Sequence, residues 1–265
     1  MDPAVLTMQW LKNHSFRLAK ENLKIKARRA AFKLRSILDP GTTDPRLAIS
    51  LLNTMVRPIA VYGSEVWGAD FTTKSPKKFY DSLFNLSGDS VSLSYARRTL
   101  GIHKKSVVAA TYGELGLHPF SLSAIKAAIK YTDHLNSSDH NSLLAQCWQQ
   151  IKIAKSQDTW FVKMGNICDS ITSSMHKSSH EICKDLFSFF NQSWQNCIKQ
   201  PNGKLRTYSA LKEHFQFEQY MCDVKNLLHR QALCKLRISC HNVSIEMGRY
   251  TIPVTPLSLV WGIRR

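Results

Sequence analysis

The chain has 265 residues, 43% of them apolar and including six Trp and twelve Phe, enough to fill a sizeable core and to exclude global disorder. Lys and Arg number 36 against 19 Asp and Glu, a formal charge of +17 and a pI near 9.7, so the expected partner is polyanionic rather than a small neutral substrate. No apolar run approaches the roughly 20 residues that a membrane span needs, and the start of the chain lacks the pattern of a signal peptide. With seven scattered Cys, these features predict reduced thiols and an intracellular protein of cytoplasm or nucleus, without a transmembrane segment.

In chain order, Leu11, Leu18, Ile25, Phe32 and Leu34 recur near helical spacing between Gln9 and Leu38, and Asp39-Pro40-Gly41 ends the stretch. This predicts a long first helix with those residues facing the core. Its other faces carry Lys12, Arg17, Lys20, Lys24, Lys26, Arg28, Arg29, Lys33 and Arg35, against Glu21 alone. A second helix starts where Asp44 can cap exposed amides and Pro45 can occupy the first turn, with a kink expected at Arg57-Pro58.

A polar loop at residues 72–78 precedes a helical pair with a break at Leu86 to Asp89, then a helix through Tyr95 and Leu100 that Gly101 can cap. Ser106 to Glu114 reads as a short helix closed by Gly116 and Pro119. Two amphipathic helices follow at residues 121–135 and 141–155, and a Ser/Thr-rich stretch places a linker at 165–178. Helices are expected at 179–199 and 206–215, separated by Gln200 to Gly203, then from Phe217 to Leu236 and from Ser239 to Glu246. The fold class is all-α, divided into a thumb-like helix pair (1–70), a helical connector (71–164), the linker, a C-terminal helical region (179–256) and an unrelated or disordered tail (257–265).

Three features bear on chemistry. Cations at i, i+4 and i+7 on the first helix form a band able to follow a phosphate backbone; the candidate contacts there are Lys20, Lys24, Arg28, Arg29, Lys33 and Arg35. Arg97, Arg98, Lys104 and Lys105 extend the same surface, or complement a helix C-terminus. Arg230, Lys235, Arg237 and Arg249 form a third basic group. Cys222, Cys234, Cys240 and His241 lack the short paired spacing of a zinc site, so no metal or cofactor is expected. No Asp-Asp pair, glycine-rich phosphate loop or Gly-x-Ser-x-Gly elbow occurs, and the histidines have no neighbouring nucleophile, so no catalytic residue is assigned.

Four segments in order resemble the region downstream of the polymerase core in non-LTR, LINE-type retrotransposon reverse transcriptases. The first is Asn53 to Gly68, with Pro58, Tyr62, Gly63, Glu65 and Trp67 matching the family's thumb helix; the second joins Arg97 to Ile102 with Val108 to Pro119 through Tyr112-Gly113-Glu114-Leu115-Gly116. The third comprises Lys204 to Tyr208, Leu211, Lys212, Phe215, Phe217, Glu218 and Tyr220. The fourth runs from Leu233 through Lys235 to Ser239, then His241, Ile245, Glu246, Gly248-Arg249-Tyr250 and Pro253. The resemblance implies a thumb that tracks a template and primer backbone, followed by a helical connection, without the palm, the endonuclease or the zinc knuckle.

On that reading the chain is a non-catalytic fragment that grips DNA or RNA backbone without sequence preference and takes no small-molecule substrate. Two alternatives stand beside it: part of an active polymerase whose palm lies upstream, and a basic helical module docking on an acidic partner or membrane. Tyr62, Trp67, Tyr112 and Tyr208 are either base-stacking platforms or core residues.

Overall fold

The structure is a computed structural model that describes residues 16–39, 43–71, 75–84, 88–139, 141–154, 159–200 and 204–240. The expected start of the first helix, the helix expected from Ser239 to Glu246, Arg249 and the tail lie wholly or largely outside these residues.

The described chain is mostly helical, with no β-strand and one isolated antiparallel bridge between Leu115 and Phe217. Helix α1 spans Arg17–Ile37 and α2 spans Pro45–Leu51. Asp44 caps α2 through the Arg46 amide at 2.7 Å, and Pro45 takes the first position, where its missing N–H costs nothing. A π-helical turn, Leu52–Val56, then leads into α3, Arg57–Ala60. Pro58 cannot donate to the Thr54 carbonyl and its ring crowds that group, so the preceding turn widens. The expected kink therefore takes the form of a π turn just before the proline.

Helix α4 (Ser64–Trp67) and a 3₁₀ turn (Gly68–Asp70) follow, then α5 (Pro76–Ser82) and α6 (Asp89–Leu100). Gly101, at φ 65°, ends α6 in the left-handed conformation that suits glycine. Tyr95 and Leu100 belong to α6 itself, so one helix, not two, follows the break. Helix α7 is Val108–Glu114, α8 Phe120–Asn136, α9 Leu143–Ile153 and α10 Trp160–Ser170. Residues 165–170 are thus helical, and 171–178 form the connection to α11, Ser179–Ile198, which opens on a Ser178–Glu181 capping box. The region beyond Pro201 is more broken than its apolar pattern suggests: α12 is Arg206–Leu211, α13 Tyr220–Asp223 and α14 Leu227–Arg237.

Helix α8 is the axis of the fold, packed by α4, the 3₁₀ turn, α6, α9 and α11. Leu122, Ala124, Ile125 and Ala128 on it are fully buried. Gly68 permits its closest contact, because a Cβ there would overlap the Ala124 carbonyl. Among the described residues one buried cluster runs from Leu23 to Ile238, drawing on the helix pair, the connector, the expected linker and the C-terminal helical region.

Helix α1 buries Leu34 as expected, but otherwise a different face from the one expected. Ala19, Leu23, Ala27, Ala31 and Leu34 pack inward, whereas Leu18, Ile25 and Phe32 are exposed, Phe32 by 70%. The large residues spaced by seven look like a core stripe, but the alanines let α1 approach α3, the π turn and α6 closely. Of the four aromatic positions with two readings, Trp67, Tyr112 and Tyr208 are core, while Tyr62 is exposed.

Candidate nucleic-acid interface

The ten cations singled out from the sequence do not share one environment. On α1, Arg28, Arg29 and Lys33 are exposed. At 100° per residue, Arg29 and Lys33 fall on one side of the Leu18, Ile25 and Phe32 line and Arg28 on the other. Lys24 lies 3.3 Å from Glu21 one turn away, an exposed pair of small energetic value.

Lys20 faces the protein. Its Nζ is 2.9 Å from Asp70 and 5.5 Å from the centre of the Trp67 ring, and Asp70 also receives Lys163 at 3.1 Å. Arg35 donates to Ser94 at 3.0 Å and lies 5.5 Å from the Tyr95 ring. Burial, then the neighbouring Arg98, depress its ionisation below the usual arginine range. Arg97 donates to the Ser106 carbonyl at 2.6 Å, which fixes the turn beyond Gly101. Arg98, Lys104 and Lys105 are exposed.

Packing of α1 against α6 thus brings Arg35 and Arg98 together. The exposed set is Arg28, Arg29 and Lys33 on α1, with Arg98, Lys104 and Lys105 at the end of α6 and just beyond it. Such a surface supplies mobile positive charge for polyanions and carries no base-reading code.

The third basic group divides differently. Arg230 is buried and donates to the Met221 carbonyl. Arg237 belongs to an internal ion network centred on Glu114, which is fully buried. Glu114 accepts from Tyr220 at 2.6 Å and from Arg237 Nε at 2.8 Å; Arg237 Nη2 reaches Glu218 at 2.7 Å, and Glu218 also takes the buried Lys212. Burial raises Glu114 above its ordinary value against the pull of Tyr220 and Arg237. Burial lowers Arg237, but Glu114 and Glu218 outweigh it and hold it above the usual range. The contact of 2.8 Å between Arg237 Nε and Glu114, typical of a charge-assisted bond, makes the two an ion pair. Two carboxylates meet two cations, so the network neutralises itself.

A second buried group surrounds Asp89, whose Oδ1 accepts the Phe120 amide at 2.5 Å and so holds the first turn of α8. Burial pushes Asp89 up to about 7, with the Phe120 and Ser121 amides and Arg57 opposing. His118 stacks among Phe187, Phe190 and Phe215; burial, then Arg57, push it down to about 4. Neither group was expected from the sequence. Glu114 had a signal, a single acid in the apolar run Ala109 to Leu115. Its partners, up to 123 residues away, had none.

A cavity of about 440 Å³ is lined by Tyr131, Leu135, Trp148, Trp160 and the Asp70–Lys163 pair, and reaches Phe16. It is large enough for a ligand. Among the described residues no group of three or more His, Cys, Asp or Glu could hold a metal ion, and no helix is long and apolar enough to cross a membrane. All seven cysteines are free thiols. No family model, no curated protein and no solved structure matches the chain.

Proposed function

We propose that the chain is a thumb-like and connector region of a LINE-type reverse transcriptase, gripping DNA or RNA through its backbone while contributing no catalytic group. The observation that carries this reading is the outward face of α1. There Arg28, Arg29 and Lys33 are exposed, and the helix has Glu21 as its single acid. Cations placed along a helix at 1.5 Å per residue meet successive phosphates and release their counterions. The sequence resemblance supplies the family, and the lack of an Asp-Asp pair supports a non-catalytic role.

Salt-dependent binding to a mixed-sequence duplex and to an RNA–DNA hybrid tests it, with a log-log slope of several units expected. Charge reversal at Lys24, Arg28 and Arg29 is expected to abolish binding at low salt. Unchanged affinity in that variant, or no binding by the wild-type chain, overturns the reading.

One observation favours a second reading. Leu18, Ile25 and Phe32 are exposed between the flanking cations, the pattern of a helix that lies on an anionic lipid surface. Under it, the same charge-reversed variant loses binding to vesicles containing anionic lipid while duplex affinity stays as it was.

A further inference from the structure

A small cavity opens where the end of α1, the residues entering α2, α6 and α14 meet. Its lining includes Arg35, Arg98, Arg230, Tyr95, Thr43 and Thr99, and among the described residues that line it there is no carboxylate. Arg35 and Arg98 come together there from helices that are far apart in sequence, and Arg230 lines the wall while donating to the Met221 carbonyl. Arg98 is exposed, Arg35 half-buried and Arg230 only 6% exposed.

We propose that this cavity is a phosphate seat: it receives the oxygens of one phosphate group of a nucleic-acid backbone laid along α1. The inference rests on the nucleic-acid reading above and adds to it a fixed anchor point that the sequence did not indicate.

Size selects the ligand. At about 30 Å³ the cavity holds one or two water-sized groups, too little for an organic molecule but enough for oxygens presented from outside. Charge selects it too. Convergent guanidinium groups repel one another, and a phosphate is the group whose oxygens accept their forked donors in pairs. Arg35 carries an unmet donor: its Nε, like those of several other arginines, is buried with no hydrogen-bond partner among the described residues, although Nη2 is held by Ser94. Leaving such a donor buried is costly, and an anion at the cavity relieves it. Depression of Arg35 by burial and by Arg98 accords with this geometry.

Arg98→Gln in the full chain is the test, because Arg98 is exposed and its loss leaves the core intact. Lys184→Gln removes the same charge from an exposed position on α11 and serves as the control. On duplex DNA, Arg98→Gln is expected to lower the salt slope by about 0.9, the contribution of one phosphate, and Lys184→Gln to leave it unchanged. Arg98→Lys keeps the charge and loses the fork, so the slope is expected to hold while affinity drops.

Equal slopes for Arg98→Gln and Lys184→Gln overturn the seat and leave the α1 surface standing. A second arm uses inorganic phosphate against chloride at matched ionic strength, read as a shift in Tm. Should the wild-type chain bind no duplex, phosphate stabilisation that disappears in Arg98→Gln still supports the seat, for free phosphate. Absence of any Arg98-dependent effect in both arms overturns it.

Discussion

Cations serve opposite ends in two regions of this molecule. On the outward side of α1, Arg28, Arg29 and Lys33 keep their charge in water, where it is available to a partner. Around Glu114, Lys212 and Arg237 are withdrawn from solvent and cancelled by two carboxylates, so their charge is invisible from outside. The formal charge of +17 therefore says less about binding than the location of each cation does. An exposed cation contributes little to stability and much to attraction, and a buried paired one the reverse.

The largest expected effect lies in the buried region. Glu114→Ala leaves Tyr220 and Arg237 without their shared acceptor and unbalances the network, a loss of about 3 kcal/mol or more in urea unfolding. A loss below about 1 kcal/mol would mean that water or Glu218 replaces Glu114, and the contrast between the two regions would then fail.

A pH titration of stability gives an intermediate effect. Asp89 has its folded pKa raised to about 7, so the native state keeps its proton longer than the unfolded chain, and its contribution is present below about pH 4 and lost as pH rises to 7. His118 is lowered to about 4, so its native state resists protonation, and its contribution is lost as pH falls from about 6.5 to 4. The two nearly offset each other over the shared window. Asp89→Asn, which can still accept the Phe120 amide, is expected to unmask a rise from pH 4 to 6.5, and His118→Phe a fall, each on the order of 2 kcal/mol. Parallel profiles for wild type and both variants would show that burial does not govern these groups.

The smallest effect is the converse of the first. Gln at Arg28, Arg29 and Lys33 together is expected to change unfolding free energy by less than about 0.5 kcal/mol per site. A larger loss would place these side chains in the packing of α1 and weaken the claim that they are reserved for a partner.

What the sequence disclosed depends on which interactions are local. The Asp44-Pro45 start of α2, the turn before Pro58 and the Gly101 stop are set by the residue itself and its near neighbours, so they could be read directly. The buried side of α1 could not, since size suggested Leu18, Ile25 and Phe32 while fit selected Ala19, Ala27 and Ala31. The candidate surface was legible only as a set of cations. Deciding that Lys20 turns to Asp70 and Arg97 to Ser106, while Arg98 joins Arg35 and Arg230, requires the packing of α1, α6 and α14. Glu114 shows the same limit, because Glu218 and Arg237 reach it only after the chain has folded back.

That return of the chain has a bearing on how the molecule comes apart. Helix α7 takes its counter-charges from residues beyond 211, and α14 also packs on α12, so the last described helices are ties across the middle of the fold. Trimming them away would strand a carboxylate in oil, and the centre would loosen with the end. Melting should accordingly run through the whole body at once, without shedding the C-terminal helices as a separate early step.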